Sequence, residues 1–143
     1  MYTARIIGID YGRKRIGIAC SDPLRITAQP LTTVILKSPE QAVNRVAEVL
    51  EKHEIELLVI GLPISISGGK GGLMADEIRR FAAALEKRGY AIAFEDESFT
   101  SSEAADIMKS AGKSAKQMRG KTDTLAAQII LQDYLDSHRT DPS

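Results

Sequence analysis

The sequence predicts an α/β domain built on a five-stranded mixed sheet, antiparallel at one side and parallel at the other, with helices on its faces. Two observations support this prediction. The first 35 residues contain three apolar, β-branched segments joined by short loops, which is typical of an antiparallel meander. After residue 38, segments with helical periodicity alternate with short apolar runs, which is typical of parallel strands joined by crossover helices.

Five segments have the apolar, β-branched composition of strands. The third contains Pro30, which indicates an edge position because proline cannot donate a hydrogen bond to a neighbouring strand. Between the first two segments, a loop that contains Gly12 predicts a hairpin. In chain order the predicted strands are 6–9, 15–20, 27–35, 57–61 and 91–94.

Four segments are predicted to be helices because apolar residues recur at helical spacing behind capping residues. Ser38 and Gln41 form a capping box before the first helix, and Thr100 and Glu103 form another before the third. Gly89 follows the second helix, as expected of a C-terminal glycine. The predicted helices are 38–53, 73–88, 100–110 and a final helix that opens at 122–123.

Three remaining segments are predicted to lack regular structure. The loop 64–72 has four glycines and could approach a phosphate, but it lacks the Lys-Ser/Thr ending of a P-loop that would indicate nucleotide triphosphate binding. A flexible surface loop is favoured slightly over a binding role. Residues 111–121 carry four cations and no acid, which predicts a mobile basic loop. Residues 1–137 are expected to form a single domain, and 138–143 a flexible tail.

Composition narrows the class of protein. Nineteen basic and nineteen acidic residues give zero formal net charge, so any nucleic-acid partner must be held by local basic patches. The single cysteine, Cys20, cannot form an internal disulfide and fits a reducing compartment. Because no apolar run approaches about 18 residues and no signal segment opens the chain, we expect a cytoplasmic protein without a membrane partner.

Three acids occupy positions that suit a catalytic site. Asp10 ends the first predicted strand, Glu97 follows the fifth, and Asp123 opens the last helix. Sites in sheets with crossover helices gather outside the carboxyl ends of the strands, and converging carboxylates require a cation. Oxygen ligands favour Mg²⁺ or Mn²⁺, and a pair of such ions can activate water for phosphodiester cleavage.

Each of these acids also has a purely structural interpretation. Asp10 could shape a turn, Glu97 could be one of three solvated acids, and Asp123 could complement a helix dipole. The nearby basic residues fit either a nucleic-acid backbone or a solvated surface. These residues are Arg13, Lys14 and Arg15 after Asp10, and Lys113, Lys116, Arg119 and Lys121 before Asp123.

Five motifs, taken together and in this order, resemble the YqgF/RuvX group of the RNase H-like superfamily. The longest is GIDYGRKRIGIA at 8–19, which carries Asp10. The others are SDP with QPLTT at 21–33, VIGLP at 59–63, DE with TS at 96–101, and Asp123 with LAA and ILQ at 123–132. Three positions depart from the group: Ser98 stands where Arg is common, and Ser65 and Ser67 stand where Asn and Asp are usual.

The resemblance implies an RNase H-like fold with sheet order 3-2-1-4-5 and catalytic, metal-ligating carboxylates at Asp10, Glu97 and Asp123. It further implies a divalent-metal endonuclease, using Mg²⁺ or Mn²⁺, that matures the 5′ end of pre-16S ribosomal RNA. We expect a monomer or weak dimer, with structured ribosomal RNA and a ribosomal particle as partners. The alternative is a Holliday junction resolvase acting on branched DNA.

Two hypotheses from other classes also remain. The chain could be a non-catalytic nucleic-acid-binding module, which failure to bind manganese would favour. It could also be a phosphate-handling fragment of the actin-like ATPases, which share an Asp-x-Gly strand turn. The second hypothesis is weaker because a single short domain lacks the second lobe of those enzymes.

Overall fold

The computed structural model describes residues 3–63, 70–96 and 115–138, with only the course of the backbone for 70–71 and 115–123. Within these residues the chain forms five strands, three α-helices and one 3₁₀ turn. The elements are β1 (Arg5–Asp10), β2 (Arg15–Ser21), β3 (Ala28–Ile35), the 3₁₀ turn (Pro39–Gln41), α1 (Ala42–Leu50), β4 (Ile55–Leu62), α2 (Lys70–Lys87), β5 (Ile92–Asp96) and α3 (Ala115–Ser137).

The five strands form one mixed sheet in the order β3-β2-β1-β4-β5. Strands β1 and β2 pair antiparallel, as do β2 and β3, whereas β4 is parallel to both β1 and β5. The predicted mixed sheet and its order are therefore confirmed. Because β1, β4 and β5 run in the same direction, their carboxyl ends share one side of the sheet, which we call the carboxyl edge.

Helices cover both faces of the sheet because the central strands are apolar on both sides. Ile7 and Ile9 of β1 are fully buried in a core that includes Ile78 of α2 and Leu50 of α1. On the opposite face, Ile6 joins a smaller core with residues of α3. Among the described residues, no helix combines the length and apolar character needed to span a membrane.

Gly8 allows α3 to approach the centre of the sheet closely. A Cβ atom at this position would lie 2.7 Å from the carbonyl oxygen of Ala127 and 2.7 Å from Cβ of Leu131. Real Cβ atoms do not tolerate such contacts, so this strand position requires glycine. The backbone of α3 is thus held directly against β1, two residues before Asp10.

Asp22 shapes the turn between β2 and β3. Its carboxylate accepts hydrogen bonds from the backbone N–H groups of Ile26 at 2.7 Å, Thr27 at 2.8 Å and Leu24 at 3.3 Å. Partial desolvation would by itself raise the pKa of this carboxyl, but these donors hold the pKa below its usual value. Asp22 is therefore a structural residue.

Two helix predictions require correction. The first predicted helix is divided into the 3₁₀ turn and α1, and Ser38 forms no side-chain cap to the turn. Instead, the side chain of Gln41 accepts a hydrogen bond from the backbone N–H of Lys37 at 3.1 Å, one residue before the predicted cap. Of the two predicted capping contacts, the one from Ser38 is not formed, and the one from Gln41 is made to Lys37 instead of Ser38.

The second correction concerns the predicted basic loop at 111–121. Helix α3 begins at Ala115, so residues 115–121 are helical and Asp123 lies inside the helix rather than at its start. The segment is rich in Lys, Gln, Met and Arg, which are good helix formers, and a single glycine at 120 costs only about 1 kcal/mol. The predicted helix at 100–110 lies outside the described residues.

Candidate functional site

Asp10 is the last residue of β1 and stands at the carboxyl edge. In the sheet, Ile9 pairs with Ile60 of β4, and β4 continues through Leu62, which pairs with Asp96 at the end of β5. Strands β1 and β5 therefore end at the same edge, as the sequence predicts, separated by two strand spacings of roughly 10 Å in total. Glu97, the next residue after β5, lies outside the described residues.

A hydrogen bond fixes α3 at the level of Asp10. Asp10 pairs with Gly17 of β2, and Gly17 pairs with Thr33 of β3, so these three residues share one register level across the sheet. The Thr33 hydroxyl lies 3.0 Å from the hydroxyl of Thr124, which is the residue after Asp123. The backbone at position 123 is therefore held near the carboxyl edge.

The direction of α3 leads to the same conclusion. Gly8 packs against Ala127 and Leu131, whereas Ile6, earlier in β1, shares a core with Leu135, later in α3. Helix and strand therefore run in opposite directions. Position 123 lies one helical turn before Ala127 on the same face of α3, and Asp10 lies two residues beyond Gly8 in β1. Both positions are therefore displaced from the contact between Gly8 and Ala127 toward the carboxyl edge.

The three predicted ligands are thus described to different extents. Asp10 is half-buried at the edge, Asp123 is placed by its backbone, and Glu97 is not described. Among the described side chains, no group of three His, Cys, Asp or Glu residues could hold a metal ion. The shared metal site therefore stays a prediction, although the strand and helix directions that it requires are present.

The loop after Asp10 is firmly held. Tyr11 is buried, its ring centroid lies 4.9 Å from that of Phe81, and its hydroxyl donates a hydrogen bond to Glu77 at 2.5 Å. Burial first, and then this hydrogen bond, raise the pKa of the Tyr11 phenol well above its ordinary value. A Cβ atom at Gly12 would overlap the carbonyl oxygen of Arg15, so the hairpin needs glycine there.

Comparison with known proteins decides the family. Residues 4–137 match the family model for RuvX, described as Holliday junction resolvase. The chain belongs to the RuvX family. This RuvX-family chain is 42% identical to the "Putative pre-16S rRNA nuclease" of Syntrophus aciditrophicus, over 93% of this chain and 89% of that protein. It is 44% identical to the Chlorobaculum tepidum protein of the same name, over 94% of each chain.

Solved structures agree on the fold. Thermus thermophilus RuvC in complex with a Holliday junction substrate superposes with a TM-score of 0.58 at 17% identity, covering 94% of each chain. The fowlpox virus resolvase in complex with Holliday junction DNA gives a TM-score of 0.58 at 13% identity, covering 95% of this chain and 99% of that one. The RuvX family and the RNase H-like fold predicted from the sequence are confirmed, and the family supports the nuclease class.

Exposed cations of this RuvX-family chain lie immediately beyond Asp10. Arg13, Lys14 and Arg15 are all exposed, and Arg13 forms an ion pair with Glu77, with 3.3 Å between Nε and Oε2. The remaining predicted nucleic-acid contacts are less fully described. Positions 116, 119 and 121 lie on the first turns of α3, their side chains are not described, and Lys113 lies outside the described residues.

Sequence reasoning assigned no role to two acids near this edge. Glu77 was hidden because its partners Tyr11 and Arg13 are more than 60 residues away along the chain. Glu95 of β5 pairs with Gly61 of β4. Burial, together with the nearby carboxylate of Asp133, raises the pKa of the Glu95 carboxyl. The available signal for Glu95 was strand alternation in the sequence, which predicts one face for positions 95 and 97.

Proposed function

We propose that this chain is a divalent-metal-dependent endonuclease that cleaves pre-16S ribosomal RNA near its 5′ end, in the cytoplasm. Two relatives that are 42% and 44% identical over more than nine-tenths of the chain carry the name of that activity. Identity at this level over nearly the whole of both chains supports a shared reaction. A structured RNA precursor, bound to a ribosomal particle, is the substrate that fits this proposal.

The observation that carries the proposal is the position of Asp10. It ends β1 at the edge where β5 also ends, and α3 is anchored at the same level by the Thr33–Thr124 hydrogen bond. We propose that Asp10, Glu97 and Asp123 are the catalytic carboxylates and converge there. Their donor atoms are all carboxylate oxygens, which fit Mg²⁺ or Mn²⁺ rather than zinc.

In this proposal the protein groups have distinct tasks. The three carboxylates hold divalent ions, which when bound supply an activated water and stabilise the leaving oxygen. Arg13, Lys14 and Arg15 hold the nucleic-acid backbone beside Asp10, because exposed guanidinium and ammonium groups neutralise phosphates. Four further cations precede Asp123 in the sequence and are proposed to contact the same nucleic-acid backbone, namely Lys113, Lys116, Arg119 and Lys121.

A second candidate is cleavage of branched DNA. The description of the family model, Holliday junction resolvase, favours it. A resolvase cuts two strands in symmetry, so this function predicts a stable two-fold dimer, whereas the ribosomal RNA nuclease is expected to act as a monomer or weak dimer. Contacts to 2′-hydroxyl groups would distinguish RNA from DNA at the same site.

A parallel cleavage assay tests the proposal. Purified protein with Mn²⁺ is given a pre-16S RNA fragment and a four-way DNA junction, and Asp10→Asn serves as the inactive control. We expect metal-dependent cleavage of the RNA and at least a hundredfold loss in Asp10→Asn, because the variant weakens ligation of the metal. Preferential cleavage of the junction by a stable dimer would favour the resolvase. Full activity in Asp10→Asn would contradict the proposed site.

A further inference from the structure

Glu77 connects α2 to the loop that follows Asp10. Its Oε2 atom accepts a hydrogen bond from the Tyr11 hydroxyl at 2.5 Å and lies 3.3 Å from Nε of Arg13. The ring of Tyr11 also packs against Phe81, four residues after Glu77 on the same helix. The loop is therefore fixed to α2 by one aromatic contact and two polar contacts to a single carboxylate.

Arg13 is held by this carboxylate and still faces solvent. Its side chain is 63% exposed, whereas that of Glu77 is 30% exposed. The guanidinium is a rigid planar group, so the ion pair at Nε restricts the directions in which its terminal N–H groups point. Glu40 of the 3₁₀ turn also interacts electrostatically with Arg13. Arg13, the first cation after Asp10 in the chain, is thus oriented and partly neutralised by acids from other elements.

We propose that Glu77 is a positioning residue, which orients Arg13 to contact one backbone phosphate beside Asp10 and weakens contacts in other geometries. This inference rests on the proposed nuclease function. A phosphate that approaches the terminal N–H groups of Arg13 in the bidentate geometry gains two charge-assisted hydrogen bonds. A phosphate in another position must compete with Glu77 for the guanidinium. Glu77 therefore lowers the affinity for the substrate but favours its correct placement.

The substitution Glu77→Gln tests this inference because it removes the charge but keeps an oxygen that can accept the Tyr11 hydrogen bond. We expect the pre-16S RNA fragment to bind more tightly in EDTA, by about two- to fivefold, since an exposed opposing charge is lost. The slope of log affinity against log salt should steepen by up to ~0.9, which corresponds to one more phosphate contact. With Mn²⁺, kcat should fall roughly tenfold because the backbone is misplaced.

A matched control is available one residue earlier on α2. Asp76 forms an ion pair with Arg79 of the same helix at 3.3 Å, so Asp76→Asn removes one negative charge from α2 without touching the loop. We expect this variant to keep the wild-type kcat and affinity. In an Arg13→Gln background, Glu77→Gln should have no further effect, because the two residues act through one contact.

The outcomes separate this inference from the proposed function. If the wild-type chain cleaves RNA and Glu77→Gln matches Asp76→Asn in affinity and kcat, the inference is wrong and the function stands. If the wild type cleaves neither nucleic acid, the function and the positioning role fail together, and tighter RNA binding by Glu77→Gln that depends on Arg13 supports only the effect of Glu77 on RNA affinity. Should Glu77→Gln fail to fold, Arg13→Lys keeps the charge without the Nε contact, and an unchanged kcat in that variant overturns the inference.

Discussion

The hydroxyl groups of Thr33 and Thr124 lie 3.0 Å apart, although 91 residues separate them in the chain. This contact joins the edge strand β3 to α3 at the register level of Asp10. Both residues are half-buried, so water competes only partly with this hydrogen bond. The position of Asp123 relative to Asp10 therefore depends on a contact that involves neither acid.

Replacing Thr33 with Val should loosen α3 at the site. The substitution keeps the side-chain shape and removes one neutral hydrogen bond, so the free energy of unfolding should fall by about 0.5–1.5 kcal/mol. We expect kcat to fall several-fold because position 123 is less firmly placed. Chemical denaturation and cleavage kinetics measure the two effects. In a double-mutant cycle with Thr124→Val, additive effects on kcat would show that the contact does not position the helix.

Replacing Gly8 with Ala should displace α3 from the sheet. The new methyl group would meet the backbone of Ala127 and the side chain of Leu131 at 2.7 Å, and such overpacking costs about 1–3 kcal/mol of stability. We also expect a loss of cleavage activity at temperatures where the variant is folded. Gly72→Ala is the control, since a Cβ atom there meets nothing within 4 Å and should stabilise α2 slightly. Equal stability of the two variants would argue against close packing at Gly8.

The turn held by Asp22 predicts a defined pH dependence. Its folded-state pKa is lowered, so its contribution to stability is full above the unfolded-state pKa of about 3.9 and disappears as pH falls through the folded-state value. Asp22→Asn does not titrate and accepts weaker hydrogen bonds, so it should cost about 1 kcal/mol at pH 7. The difference in unfolding free energy between wild type and variant should narrow below pH 4. A difference that stays constant from pH 7 to pH 2 would contradict this role.

The fold was largely predictable because the strands have strong local signals. Ile7, Ile9 and Ile60 form apolar runs that cannot be exposed on either face, and the turns at Gly12 and Asp22 fix where the first strands end. The common edge of β1 and β5 then follows from the alternation of strands and helices. The position of Asp10 at the end of a strand was therefore enough to select it as a candidate site residue.

Other features were missed, either because a local pattern was misread or because they depend on contacts between distant parts of the chain. The start of α3 at Ala115 was missed because Gly120 and a cluster of cations resembled a loop, although helix-forming residues outweigh one glycine. The bond between Tyr11 and Glu77 spans 66 residues and arises only from the packing of α2 against the sheet. Ser21 has no local signal of its role, which is that its fully buried hydroxyl accepts a hydrogen bond from the backbone N–H of Ile6 at 3.0 Å.

The central claim is that Asp10, Glu97 and Asp123 converge on a divalent cation. Paramagnetic broadening of backbone amide NMR signals by substoichiometric Mn²⁺ tests it most directly, because the effect reports distance from the bound ion. We predict that signals at residues 10, 97 and 123 broaden together in the wild type and that Asp10→Asn abolishes the effect at all three positions. Broadening at only one of these positions, or unchanged broadening in Asp10→Asn, would contradict the shared site.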